Sequence, residues 1–179
     1  SLSLDLDQRK KLLKSLDKKI QEDFKHVSSL IDDEIFRSFL SIIKACVRTN
    51  FSQLKREELR IGFKIASNKI ETLPKPQPVF EIFVYSPEFQ GVHLRGGKMA
   101  RGGIRWSERE DFRKEVFELM EAQMPKNTII VPVGAKGGFR LNTQSSDPEV
   151  LRYQVRLCYQ RYIRTLLELT DNIDADGNI

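Results

Sequence analysis

The stretch FEIFVYSPEFQGVHLRGGKMARGGIRW, residues 80–106, holds three short apolar runs separated by turn-forming residues. Phe80–Tyr85 predicts one strand, because it is rich in aromatic and β-branched residues. Val92–Leu94 predicts a second strand after the turn signal at Ser86-Pro87, and Ile104–Trp106 predicts a third. A sheet is therefore expected around this stretch.

The residues before the sheet predict helices. Apolar residues recur at helical spacing through residues 5–50, and Ser28-Ser29 interrupts them, so two helices are expected there. Ser29 is expected to cap the second helix through Asp32. Leu59–Ala66 alternates as a strand does, and a stiff linker then follows at Pro74, Pro76 and Pro78.

A helix and a strand are predicted directly after the third run. Ser107 and Glu110 match the capping-box pattern, which predicts a helix that opens at Ser107 and ends before Pro125. Thr128–Val133 predicts a buried strand. Residues 134–138 then predict a glycine-rich loop.

The last helix is predicted to start at Asp147 and Pro148, a cap followed by a first-turn proline. Its apolar face is expected to be Leu151, Val155, Cys158, Tyr162, Leu166 and Leu169. Together these patterns predict an α/β protein of the α+β type, with a mixed, largely antiparallel sheet, flanking helices and an N-terminal helical pair. The expected division is N-terminal helices at 1–55 and one domain over 56–179.

Composition indicates an ordinary globular chain, with 40% hydrophobic and 31% charged residues in 179. There is no run of eighteen apolar residues, and the first residues lack the order of a secretory signal, so no membrane association is expected. Cys46 and Cys158 lie in predicted helices and are expected to be buried free thiols. These features favour a cytoplasmic location.

Positive charge is concentrated in residues 91–114, where seven basic residues stand against three acidic ones, although the whole chain carries only +5. This concentration predicts an anion site. It also leaves open an anion- or nucleic-acid-binding module that uses residues 91–114 without catalysis. Nucleic acid is not expected as a partner, because Trp106 and Phe112 are the only aromatic residues there. A third hypothesis makes residues 5–50 a helical element that pairs with another chain.

Three segments combine glycines or glutamine with cations: residues 96–105, 123–126 and 134–138. Paired glycines let backbone amides approach a bound anion. No phosphate-binding G-x-x-x-x-G-K-[ST] or G-x-G-x-x-G motif occurs, so the expected ligand is a small anion held by several cations. A lysine crowded by other cations can act as a general base or polarise a carbonyl. No metal site is expected, and His93 is expected to be structural.

The residues GVHLRGGKMARGGIRWSEREDFRKEV at 91–116, followed by KNTIIVPVGAKGGF at 126–139, resemble the large NAD-dependent glutamate dehydrogenases. The resemblance implies interconversion of L-glutamate with 2-oxoglutarate and ammonia, using NAD. It implies that residues 56–179 are part of the substrate-binding domain. The catalytic aspartate and the NAD-binding Rossmann domain would lie outside this chain, which alone would bind no cofactor and be inactive. The rest of the parent polypeptide would then be a partner, and the full-length protein a homo-oligomer.

The same resemblance assigns roles to individual residues. Lys136 matches the catalytic lysine that activates water and polarises the 2-oxo carbon. Lys126 matches the lysine that binds the α-carboxylate, and Gln123 the glutamine that assists it. The glycine pair lining the site corresponds to Gly102 and Gly103.

One position departs from the family pattern. Arg101 stands where the family usually has the lysine for the distal carboxylate. An arginine can hold a carboxylate through two parallel hydrogen bonds. Either Arg101 or Lys98 is therefore expected to take that role, with Arg105 as a further accessory cation.

Overall fold

The computed structural model describes residues 5–53, 59–73, 75–127 and 133–170, apart from the side chains of Leu6 and of residues 125–127. The chain divides into two compact units, one ending at Ile43 and the other beginning at Lys44. Within the described part, no helix is both long and apolar enough to cross a membrane.

The N-terminal unit is built from two helices, as the sequence predicts. Helix α1 spans Leu6–Phe24, and helix α2 spans Leu30–Ala45 and so ends just inside the second unit. Asp5 caps α1 by accepting a hydrogen bond from the Gln8 amide at 2.7 Å. The expected cap of α2 is confirmed, since the Ser29 hydroxyl accepts from the amide of Asp32 at 3.3 Å.

The second unit is a six-stranded sheet with the order β1-β2-β3-β4-β6-β5. Every neighbouring pair is antiparallel except β5 and β6, which are parallel. This confirms the predicted fold class. The strands are β1 Cys46–Thr49, β2 Ile61–Ile65, β3 Phe80–Tyr85, β4 Phe89–Arg95, β5 Ile104–Trp106 and β6 Ala135–Leu141.

Helix α3, Phe112–Asn127, covers one face of the sheet, and helix α4, Pro148–Glu168, covers the other. Alternation along the strands separates the two cores. On the α4 side the buried residues are Ile82, Val84, Phe89, Phe139, Leu141, Cys158, Tyr162 and Leu169. On the α3 side they are Val92, Leu94, Phe112, Val116 and Met120. The predicted apolar face of the last helix is confirmed, and so is its Asp147 cap, which accepts from the Glu149 amide at 2.8 Å.

The apolar pattern predicts Cys46 to be helical, but the residue begins strand β1 and pairs with Ile65. The helical pattern ends at Ala45 because the next residues form the edge of the sheet. Cys46 is half-buried and Cys158 buried, and both are free thiols. Of the predicted strand Thr128–Val133, all but Val133 lies outside the described residues.

The boundaries predicted for α3 are wrong at both ends. The helix starts at Phe112 and not at Ser107. Ser107 does not form the predicted capping box with Glu110, because its hydroxyl bonds to the side chain of Glu115 at 2.7 Å. At the other end, α3 continues through Pro125 to Asn127. A proline in the last turn removes only one hydrogen bond, to the carbonyl four residues earlier, so the helix can continue past it.

Candidate functional site

Lys136 lies within strand β6, in the interior of the sheet. It stands opposite Leu94 of β4, and it is therefore on the face covered by α3. Its side chain is half-buried. No ion-pair partner of Lys136 is found among the residues that the structure describes.

The predicted glycine-rich loop at 134–138 is thus wrong, since Ala135–Leu141 is a continuous strand. The glycines serve close packing. A β-carbon added at Gly138 would approach Cγ2 of Val116 to 2.3 Å, which no real contact shows. Glycine at this position lets α3 lie directly on the sheet beside Lys136.

The segment with Gly102 and Gly103 runs parallel to β6 and lies beside Lys136. The amide of Gly137 donates to the Gly103 carbonyl at 3.0 Å, and this bond fixes the register between the glycine segment and β6. A β-carbon at Gly103 would lie 3.7 Å from Nζ of Lys136, so the amine is next to this residue. A β-carbon at Gly102 would lie 1.4 Å from the carbonyl oxygen of Ala135, so only glycine fits there.

Gln123 brings a side-chain amide to the same place from α3. Its Oε1 is buried and has no hydrogen-bond partner among the described residues. The same atom lies 3.1 Å from where a β-carbon on Gly102 would stand. A buried amide without a partner costs free energy unless a bound molecule or water satisfies it. Gln123 therefore marks a position where a hydrogen-bond donor, from a ligand or a water, would be stabilised.

The other cations assigned to the substrate carboxylates are Arg101, Lys98 and Lys126, and the structure describes each to a different extent. Arg101 is exposed and forms a parallel bridge with Gly134, so its backbone is fixed one residue before the glycine pair. Lys98 is exposed in the turn after β4, and its carbonyl accepts from the guanidinium of Arg95 at 3.1 Å. Lys126 is in the last turn of α3, but its side chain lies outside the described part.

Arg105 is held by an acidic residue that the sequence pattern did not single out. Its guanidinium lies 3.0 Å from Oε1 of Glu115, whose side chain is only 14% exposed. The other oxygen of Glu115 accepts from the Ser107 hydroxyl at 2.7 Å. Glu115 thus ties the middle of β5 and the residue directly after it to α3, and Arg105 is engaged in this contact. The nearest sequence signal, the Ser107–Glu110 pattern, pointed to the wrong carboxylate.

Part of the positive charge of residues 91–114 is paired with carboxylates. Arg113 makes two hydrogen bonds to the carboxylate of Glu81, at 2.7 and 2.6 Å, and these raise the pKa of Arg113. Arg109 pairs with Asp111 at 2.7 Å. Arg105 pairs with Glu115, so three of the seven basic residues of 91–114 contact a carboxylate. Two of these carboxylates, Glu81 and Glu115, lie outside residues 91–114. This pairing reduces the basic surface that residues 91–114 could offer to a nucleic-acid backbone.

His93 faces the opposite side of the sheet from Lys136. It pairs with Gly137 in the α4 layer, and a β-carbon on Gly137 would meet its Cδ2 at 3.0 Å. Burial, with a smaller effect of Arg95, lowers the pKa of His93 to about 4. The histidine is therefore neutral at physiological pH and sits in the packed layer beneath the site. In the described ranges, no group of three His, Cys, Asp or Glu is placed to hold a metal ion.

Comparison with known proteins gives a consistent match. The family model for the bacterial NAD-glutamate dehydrogenase catalytic domain matches residues 19–179. The chain is 49% identical over 154 residues to the NAD-specific glutamate dehydrogenase of Halomonas elongata, covering 82% of this chain and 10% of that protein. It is 50% identical over 154 residues to the Pseudomonas aeruginosa protein of the same name, covering 82% of this chain and 9% of that protein. The NAD-specific glutamate dehydrogenase of Mycobacterium tuberculosis is 44% identical over 167 residues, which is 87% of this chain and 10% of that protein. The chain therefore spans about a tenth of the length of these relatives.

Proposed function

We propose, from the premise that this chain belongs to the family of bacterial NAD-glutamate dehydrogenase catalytic domains, that it supplies the dicarboxylate site and the catalytic lysine of such an enzyme. The reaction would convert L-glutamate to 2-oxoglutarate and ammonia with NAD as oxidant. The observation that carries the proposal is the proximity of Lys136 to Gly103 and of Gln123 to Gly102, where the segment before β5 runs alongside β6.

The surroundings of Lys136 suit a catalytic amine. The residue is fixed by the strand, half-buried against α3 and without an acidic partner among the described residues, so no carboxylate competes for its charge. A positioned ammonium can polarise the 2-oxo group, and the neutral amine can accept a proton from water. Gly103 leaves space next to Nζ for the reacting carbon.

The substrate carboxylates would be held on either side of Lys136. We assign the α-carboxylate to Lys126, with Gln123 beside it, because α3 carries both residues to the end of the helix next to Gly134. Arg101, directly before the glycine pair, is assigned to the distal carboxylate, and Lys98 is the alternative. An arginine can bind that group through two hydrogen bonds.

We infer that the described residues of this chain do not hold NAD themselves. The connection from β5 to α3 carries the acidic residues Glu108, Glu110 and Asp111 near the start of α3. These charges would repel a pyrophosphate at the end of the helix where anions otherwise bind. We assign cofactor binding and the catalytic aspartate to other parts of a longer, homo-oligomeric, cytoplasmic parent protein. The isolated chain is expected to be inactive.

Titration of the chain with 2-oxoglutarate, followed by amide NMR, tests the site. The amides of Gly102, Gly103 and Lys136 should shift, whereas Gly62, on the far side of the sheet, should not. Sulfate, which carries the same charge as 2-oxoglutarate, is the control for non-specific anion binding. At the same concentration it should give smaller shifts at these three residues. Shifts centred on another surface, or equal shifts with sulfate, would contradict the proposed dicarboxylate site.

A further inference from the structure

The backbone of Gly134 joins the start of β6 to three other segments. Its carbonyl accepts a hydrogen bond from the amide of Gly96, directly after β4, at 3.0 Å. It forms the parallel bridge with Arg101 in the segment before β5. Its amide donates to Sδ of Met124, on α3, at 3.2 Å. These contacts fix the backbone two residues before Lys136.

The last turns of α3 lie directly against Gly134. A β-carbon on Gly134 would stand 3.2 Å from the carbonyl oxygen of Met120 and 3.2 Å from the amide nitrogen of Met124. A side chain at this position would therefore press the helix away from the strand, because packed backbones have little room to give. The helix and the entry to β6 are thus in backbone contact, and their spacing is tight.

The thioether of Met124 fills the space between α3, Gly134 and the end of β4. A β-carbon on Gly96 would lie 2.6 Å from Sδ and 3.0 Å from Cε of Met124, so this side chain packs closely on Gly96. The side chain is half-buried. An unbranched thioether adapts to an irregular space, and its sulfur is a weak hydrogen-bond acceptor. Met124 therefore holds three backbone segments at one spacing.

We propose that Met124 is a positioning residue for the glutamate dehydrogenase reaction, and that its thioether sets the distance between the end of α3 and the start of β6. Gln123 and Lys126, which we assign to the α-carboxylate, lie on either side of Met124 in α3. Gly134 leads directly to Lys136. A misplacement of about 1 Å between bound substrate and reacting group can lower the rate about 100-fold. This role rests on the proposed function, because it presupposes that Lys126 and Lys136 act on one substrate.

Met124→Leu in the full-length parent protein tests the contact. Leucine nearly conserves the side-chain volume but cannot accept a hydrogen bond from the Gly134 amide. We expect kcat to fall about 10- to 100-fold while KM for glutamate stays within about 3-fold, because the groups that bind the two carboxylates are retained.

Met120→Leu is the matched control, since it makes the same substitution one turn earlier on α3. The Met120 side chain is buried in the core between α3 and the sheet. This variant should lower the urea midpoint at least as much as Met124→Leu does, but it should leave kcat unchanged. A purely structural role for Met124 would instead make the two variants behave alike.

A second substitution displaces the thioether without changing Met124. Gly96→Ala places a methyl group 2.6 Å from Sδ, so the sulfur must move. It should lower kcat with little change in KM, as Met124→Leu does. In a Met124→Ala background the sulfur is absent, so Gly96→Ala should cause little further loss of kcat, as expected for two residues in contact.

Normal kcat in Met124→Leu, or a loss of kcat equal to that of Met120→Leu, would overturn the proposal. Independent losses from Gly96→Ala and Met124→Ala would overturn it too. Lys136→Ala, measured in parallel, separates this failure from failure of the proposed function. If Lys136→Ala is inactive and Met124→Leu is fully active, only the positioning role is wrong. If Lys136→Ala is active, the proposed function is wrong as well.

Discussion

The side-chain amine of Lys136 lies beside Gly103, with Nζ 3.7 Å from the place where a β-carbon on Gly103 would stand. The neighbouring Gly102 differs, because its β-carbon would fall 1.4 Å from the carbonyl oxygen of Ala135. One glycine therefore leaves space in the candidate site, and the other allows two backbones to meet. Under the proposed function, Gly103 would be needed for substrate binding, whereas Gly102 is needed for the close approach of the backbone to Ala135.

Gly103→Ala should leave the stability of the fold almost unchanged, whereas Gly102→Ala should lower it strongly. At Gly103 the added methyl makes ordinary contacts, so the free energy of unfolding should change by less than about 1 kcal/mol, while affinity for 2-oxoglutarate falls because the methyl occupies substrate space. At Gly102 the backbone must move, which should cost about 3 kcal/mol or more. Urea unfolding and ligand titration of both variants check this. A stable Gly102→Ala protein would mean that the segment does not approach β6 so closely.

Lys136→Ala should abolish turnover in the full-length parent protein. Loss of a positioned acid-base group lowers rates by about 10² to 10⁴, and no other described lysine lies next to Gly103. Steady-state kinetics would show the loss in kcat. Lys114→Ala, an exposed lysine on α3, is the matched control and should leave kcat unchanged. Near-normal turnover in Lys136→Ala would refute the assignment.

Glu115→Gln should destabilise the site region without changing its charged ligand groups. The carboxylate holds Arg105 and Ser107 at 3.0 and 2.7 Å, and a neutral amide cannot serve both equally. The free energy of unfolding should fall by about 1–3 kcal/mol, as for other partly buried charged hydrogen bonds. Glu118→Gln, on the exposed face of the same helix, should change it by no more than about 0.5 kcal/mol. Similar losses in the two variants would show that the contact with Arg105 contributes nothing specific.

The sequence predicts the parts of this fold that depend on local pattern. The strand at Phe80–Tyr85 and the capped start of α4 at Asp147 follow from residues within a few positions of each other. The site needed more distant information. Gly137 and Gly138 have the local signature of a loop. Only residues on other elements, such as Ile104 beside Gly137 and Val116 beside Gly138, show that they are packing positions in a strand. Ser107 likewise has a carboxylate three residues away, but the fold brings Glu115 to it.

Stability should fall as the pH drops from about 6.5 to about 4, and His93 should be responsible. Its pKa is lowered from 6.5 to about 4 by burial, so between these values the unfolded chain binds a proton that the folded chain excludes. The stabilisation is complete above pH 6.5 and is lost toward pH 4, by an amount of about 3 kcal/mol. His93→Gln should remove this part of the pH dependence. The control His26→Gln should retain it, because His26 is an exposed residue just after α1. Unfolding curves at several pH values provide the measurement, and an unchanged slope in His93→Gln would contradict the assignment.

Arg101→Ala should weaken glutamate binding in the parent protein more than Lys98→Ala does. The backbone of Arg101 is fixed by its bridge to Gly134 and leads directly into the glycine pair, whereas Lys98 lies in the turn three residues earlier. A charge-assisted carboxylate contact contributes about 1.5–3 kcal/mol, so KM for glutamate should rise by about 10- to 150-fold in Arg101→Ala. Arg101→Lys should recover part of the affinity, because a lysine keeps the charge but loses the paired geometry. If Lys98→Ala gives the larger rise in KM and Arg101→Ala leaves it unchanged, the distal carboxylate is bound from the turn after β4, and the ligand lies further from Gln123 than we infer.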